Sequence, residues 1–320
     1  MAVGPPLSHL LLSASSIADD LGYVALADLA KIIGGAGDTS DHRIIGGHMI
    51  TALAARWMLG ADLYRETGDA DLGITPVLVR SLHLPDKLKA LGYEQAAGNR
   101  FARTMRDIPV TLTGAQATAP QALIDILVPA YTGRARQNVE ITEDLITTEV
   151  PGLAAALGRS AVIMTLELRR LNGETLLATL PFPDEVSALV LKALATRVRA
   201  KATDATDIWR CLEIALAAGV VPQDFSRSGR AEAATIIRTL SFREPDPRSE
   251  PAPAGIGWSG AGRRAGVRRL VAWPAGTRRA RRHRRLRPGR MCWSAGRRAA
   301  ATRSAGPPGR PARRGSGSGR

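Results

Sequence analysis

The sequence predicts an α+β protein, and three observations carry that reading. Stretches with apolar residues at helical spacing alternate with short, strongly apolar runs of strand length. One of those runs carries a carboxylate at its centre, Asp125 in Ala122–Val128. Further on, two strand-like runs flank Asn172-Gly173, a dipeptide whose backbone suits the tight turn of a β-hairpin. No internal repeat interrupts this order.

The first helix is predicted over Ile17–Ile33, with apolar residues at Leu21, Val24, Leu26, Leu29, Ile32 and Ile33 and a stop at Gly34-Gly35. A short strand, Arg43-Ile44-Ile45, runs into Gly46-Gly47, and a helix is expected from His48 to about Leu59. Asp69–Ile74 alternates polar with apolar and reads as a second strand. A further helix is expected within Val77–Leu91. The apolar strand Ala122–Val128 ends at Pro129, and Val162–Leu171 with Thr175–Leu180 forms the hairpin. After Pro181-Phe182-Pro183, the residues Val186, Leu189, Val190, Ala193, Leu194 and Val198 share one helical face. A last helix is expected from about Asp204 to Ala218.

Charge divides the chain. The net charge of +15 over 320 residues hides a basic tail: nineteen of the 44 Lys and Arg residues are arginines within 251–320, where no Lys, Asp or Glu occurs. Residues 1–250 keep 25 basic against 29 acidic residues, a net of −4. From about Pro245 the composition turns to Pro, Gly, Ala, Ser and Arg, too poor in apolar periodicity to offset the entropy of ordering, and 246–320 is expected to be disordered. Three readings of the tail stand: a cationic arm for RNA or DNA, a surface for an acidic partner, or the product of a shifted reading frame in GC-rich DNA. Two cysteines, Cys211 and Cys292, suggest neither a disulfide framework nor a zinc site. No basic residue precedes the apolar run Leu10–Leu12, and no stretch reaches the roughly 20 apolar residues a membrane helix needs. A cytoplasmic protein without membrane partners is expected.

The chemistry concentrates on acidic residues in strands. Asp69 and Asp71 are two apart, so a strand points both side chains to one face, close enough to share divalent cations, which take hard oxygen ligands. Asp125 in an apolar strand demands compensation, from a metal site or from an arginine such as Arg103 or Arg106. Gly46-Gly47 sits where bare backbone and helix N–H groups can approach a phosphate.

These residues carry a resemblance. Ile45-Gly46-Gly47-His48, followed by Arg65-Glu66-Thr67-Gly68-Asp69-Ala70-Asp71-Leu72, resembles the AbiEii/AbiGii-type nucleotidyltransferases of the DNA polymerase beta superfamily. There a strand-Gly-Gly-helix element precedes an Arg-x-Thr-x-Asp-x-Asp-Leu strand. Leu191-Lys192-Ala193-Leu194-Ala195, Arg197, Lys201, Asp204 and Asp207 are similar to that family's C-terminal helices, and the resemblance spans roughly residues 15–225. One departure stands out. Many relatives have Gly-Ser at the phosphate turn, whereas Gly46-Gly47-His48 would bind phosphate through backbone amides and imidazole.

The resemblance implies a polymerase-beta-like nucleotidyltransferase core with a mixed sheet at 1–140 and a hairpin-and-helix domain at 141–245. It implies ligation of two Mg²⁺ by Asp69, Asp71 and Asp125. Lys192 joins these as a catalytic residue that neutralises phosphate charge, and Gly46, Gly47, His48, Arg65 and Thr67 form the nucleotide- and phosphate-binding set. Arg65 is expected to brace the aspartate pair, Asp204 to cap a helix, Lys201 to pair with Asp207, and Trp57 and Trp209 to lie in the core. The implied reaction moves NMP from an NTP to an acceptor hydroxyl, with RNA such as tRNA as acceptor and a cognate antitoxin as partner of a toxin. Alternatives are a small-molecule nucleotidyltransferase of the antibiotic-modifying kind, or a nucleotide- or RNA-binding module without turnover.

Overall fold

In a computed structural model, the describable residues are 6–34, 39–107, 119–132, 134–198, 202–226 and 230–241. Lys201 and the whole segment 246–320 lie outside them. The described residues form a mixed α+β fold built on two sheets. The first strands and helices are β1 (His9–Ser13), α1 (Ile17–Ile33), β2 (His42–Ile45), α2 (Gly46–Arg56) and β3 (Asp69–Ile74). Then come α3 (Pro76–Leu82), α4 (Leu84–Ala90), β4 (Glu94–Ala97), β5 (Arg100–Thr104), β6 (Gln121–Pro129), β7 (Val139–Thr142) and β8 (Leu145–Val150). The chain continues through α5 (Leu153–Leu157), β9 (Val162–Arg169), β10 (Thr175–Phe182), α6 (Glu185–Ala195), α7 (Ala202–Ala217) and α8 (Arg230–Ser241).

Local chemistry accounts for several boundaries. Ser16 caps α1 by accepting the Asp19 amide, and Asp184 caps α6 by accepting the Ser187 amide, each satisfying an N–H that the helix leaves open. The single helix expected within Val77–Leu91 is two. His83 turns into the left-handed region at φ 50° between them, and Pro85 lacks the amide that would continue a helix. Asp204 is not a cap: it lies inside the first turn of α7 and is buried, where a carboxylate still complements the helix dipole.

The larger sheet runs β2-β3-β6-β5-β4. The long strand β6 has β3 parallel along one edge. Its other edge is shared, antiparallel β5 pairing with Gln121–Asp125 and parallel β8 with Leu127–Pro129. The smaller sheet, β1-β9-β10, joins the N-terminal strand in parallel to the Asn172-Gly173 hairpin. Segments therefore cross the expected boundary near residue 140 in both directions. Helix α1 packs on β10 as well as on β3 and β6, and its buried Val24, Leu26 and Leu29 belong to one continuous apolar core. Trp57 and Trp209 pack on that core half-buried, and the Trp57 indole N–H donates to Glu185 at 2.7 Å.

Buried charges tie the sheets to the helices. Arg170, at the end of β9, donates to both oxygens of Asp20 on α1 at 3.2 and 2.9 Å, and the Leu171 amide donates to the same carboxylate at 3.0 Å. Both partners are almost fully enclosed, so removing one strands the other's charge in a poor solvent for it. Arg170→Ala should cost on the order of 3 kcal/mol of stability in urea denaturation; a loss under about 0.5 kcal/mol would show that the tie is not supporting the fold.

Candidate functional site

Strand register assembles the site. Ile45 of β2 is opposite Asp71 of β3, Asp71 is opposite Asp125 of β6, and Asp125 is opposite Arg100 of β5. Register partners project to the same side of a sheet, and Asp69, two residues before Asp71, joins that side. One oxygen from each of Asp69, Asp71 and Asp125 falls within 4.8 Å of the others. The expected carboxylate triad exists. Three hard oxygen donors so close suit a divalent cation such as Mg²⁺.

The glycine turn lies directly against this cluster. Gly46 has φ +73°, and a Cβ built on it would lie 1.7 Å from Asp71 Oδ2. A Cβ on Gly47 would lie 2.8 Å from the Thr67 Cβ. Both positions therefore need glycine, Gly46 for its left-handed backbone as well as for space. The N-terminus of α2 opens here with Ile45 as its cap residue, which has no side-chain acceptor to offer. Thr67 packs beneath Gly47 and donates its hydroxyl to Asp69 Oδ1 at 2.9 Å.

Arg100 was not foreseen. Its Nε donates to Asp125 Oδ1 at 2.8 Å, and its Nη2 to Asp125 Oδ2 at 2.6 Å and to Asp69 Oδ2 at 3.2 Å. The arginine that compensates Asp125 is thus Arg100 and not Arg103 or Arg106. Arg103 instead pairs with buried Asp28 at 2.6 Å. The usable signal was Gly98-Asn99, a two-residue loop that joins β4 to β5.

Other expected residues are placed differently from one another. Arg65 braces not the aspartate pair but Asp207, donating at 2.5 Å. Lys192 on α6 donates to the same Asp207 oxygen at 2.9 Å, and Arg210 approaches its other oxygen at 3.4 Å. Lys192 and Asp207 are buried, while Arg65 is a quarter exposed. Only three residues separate Arg65 from Asp69, so this cationic cluster couples α6 and α7 to the segment leading into β3. His48 is enclosed beside Gly22 of α1, since a Cβ on Gly22 would lie 2.4 Å from its Nε2, and the Tyr23 ring centroid is 6.2 Å away. That Nε2 has no hydrogen-bond partner among the described residues. Burial pushes the imidazole down to about 4, partly opposed by the charges of Asp69 and Asp19, with Arg65 lowering it further.

No family model and no curated protein sequence matches this chain. Among solved structures, it aligns with an antigenic nucleotidyltransferase-like protein from Paracoccidioides brasiliensis at 20% identity, over 71% of this chain and 90% of that one, with a TM-score of 0.39. A likeness that distant says nothing about chemistry, so the functional reading rests on this chain's residues. No helix among the described residues is long and apolar enough to cross a membrane.

Two measurements probe this geometry. His48 has a folded pKa below its usual 6.5, so the unfolded chain binds the extra proton. Its contribution is complete above pH 6.5 and is lost as pH falls toward about 4, in all roughly 3 kcal/mol. His48→Gln should flatten that part of the stability–pH curve measured by denaturant titration; an unchanged slope would contradict the assignment. Gly46→Ala should cost about 1–3 kcal/mol in stability from backbone strain alone, and more as Asp71 is pushed aside, read as a lowered Tm.

Proposed function

We propose that the chain is a Mg²⁺-dependent nucleotidyltransferase that moves NMP from an NTP to an acceptor hydroxyl. The observation that carries this reading is the carboxylate triad, its oxygens within 4.8 Å of one another, set against the bare Gly46 turn at the start of α2. A triphosphate needs both halves of that arrangement. Backbone N–H groups of Gly46 and Gly47 at a helix N-terminus favour its anionic oxygens, and a carboxylate cluster holds the cation that accompanies it.

Asp69 and Asp71 would hold Mg²⁺, with Asp125 beside them. Bound there, the ion would supply Lewis-acid stabilisation of the charge that develops on phosphate oxygens during transfer. The remaining roles fall to the protein. Thr67 fixes the Asp69 carboxylate through its hydroxyl bond and shapes the floor under Gly47. Asp125 accepts the hydrogen bond of the acceptor hydroxyl and takes its proton as the oxygen attacks the α-phosphorus. The bond from α-phosphorus to the bridging oxygen breaks in line, and pyrophosphate leaves. Lys192, Arg65 and Arg210, gathered around Asp207, provide positive charge toward the phosphates. His48, enclosed and neutral, supports the turn from beneath.

The finer identity rests on the resemblance of Arg65–Leu72 and of the Lys192 and Asp207 helices to the AbiEii/AbiGii type. It points to an RNA acceptor, such as tRNA, and to the toxin half of a pair with an antitoxin. The test is direct. With each of the four α-³²P-labelled NTPs, Mg²⁺ and total RNA, the protein should transfer label to RNA, and Asp71→Asn should lower transfer at least about 10²-fold. Transfer to an aminoglycoside but not to RNA would move the acceptor to the small-molecule class. Undiminished transfer by Asp71→Asn would remove the reading.

A further inference from the structure

The carboxylate cluster already contains a cation, and it belongs to the protein. Arg100 spends three N–H bonds on the triad: Nε on Asp125 Oδ1, and Nη2 on both Asp125 Oδ2 and Asp69 Oδ2. Both oxygens of Asp125 are thus engaged in a bidentate pair, the strong geometry for guanidinium and carboxylate. Of the Asp69 oxygens, Oδ1 accepts from Thr67 and Oδ2 from Arg100. The position is held by the sheet, since Arg100 and Asp125 are register partners on neighbouring strands. It does not depend on a loop.

We infer that Arg100 stands in for one of the two divalent cations such a triad would otherwise take, so that the site binds a single Mg²⁺ through Asp69 and Asp71 beside a fixed guanidinium. This rests on the nucleotidyltransferase reading above. Charge favours it: three carboxylates and Arg100 together carry −2, which one divalent ion neutralises. Donor geometry favours it as well. The side chain is 39% exposed, and neither N–H of Nη1 has a protein partner among the described residues. Two donors therefore remain for an anionic oxygen, and a guanidinium matches phosphate in its planar fork. A divalent ion at that place would give stronger polarisation. The guanidinium gives a charge that needs no loading and is independent of Mg²⁺ concentration.

The experiment counts ions. The full-length protein is saturated with an NTP analogue whose α,β bridge cannot be cleaved, and Mn²⁺ is titrated with free ion read by electron paramagnetic resonance. The wild-type complex should bind one Mn²⁺ per bound nucleotide. Arg100→Gln and Arg100→Ala, checked for an unchanged melting transition, should each bind two, and adding Asp125→Asn to either should return the count to one. Two ions in the wild-type complex would overturn the inference while leaving the nucleotidyltransferase reading intact, and so would one ion in both the wild type and the Arg100 variants. Failure of wild type and variants alike to bind the analogue would remove that reading, and the inference with it. A wild-type count of two overturns the inference whether or not the variants fold.

Discussion

Three carboxylates held within 4.8 Å of one another repel, and the protein accepts that repulsion where strand pairing could have spread the charges apart. At an effective dielectric of about 20, two unit charges at that separation cost roughly 3 kcal/mol. The order β2-β3-β6-β5 makes the cost bearable. It sets the Gly46 turn on one side of the acidic row and Arg100 on the other, so the row meets a helix N-terminus at one end and a guanidinium at the other. Slipping β6 by one residue against β3 would turn Asp125 to the opposite face and dissolve the cluster. The register of a single strand pair thus underlies both the site and the chemistry proposed for it.

The same economy recurs away from the carboxylates. Ion pairs to buried aspartates join segments far apart in sequence: Arg170, just after β9, to Asp20 of α1, Arg103 of β5 to Asp28 of α1, and Arg65 to Asp207 of α7. Such pairs contribute little net stability against an apolar alternative, but each is costly to break from one side. They therefore specify which helix meets which strand. The Asp207 cluster draws Lys192 of α6 and Arg65, just upstream of β3, to one carboxylate of α7. His48 shows the reverse case. A polar ring was enclosed without a charged partner, and burial keeps it neutral.

Much of this was legible before any coordinates. The long periodic helices α1, α6 and α7, the strands β3 and β6, and the Asn172-Gly173 hairpin were readable because each is set by local spacing and turn chemistry. The Asp69, Asp71 and Asp125 cluster was readable because two carboxylates on one strand must share a face, and a third in an apolar strand must find a partner. Arg100 was not, since an arginine in a short edge hairpin looks like any solvated charge until its neighbour strand is known. Strand β1 was hidden for a similar reason: five residues with three leucines acquire meaning only from their parallel pairing with β9. Arg65 was seen as a basic residue beside two acids, but tertiary folding gave it to Asp207.

By itself, the sequence determined where the main helices and strands lie, that two aspartates of β3 point together, and that a Gly-Gly turn ends the strand before α2. Those properties depend on neighbours within a few residues. Tertiary structure alone decided which cation faces the acids, which carboxylate holds Lys192, and where His48 is enclosed. Such pairings depend on strand order and register, and these are settled by the sum of many distant contacts, not by any short stretch of chain.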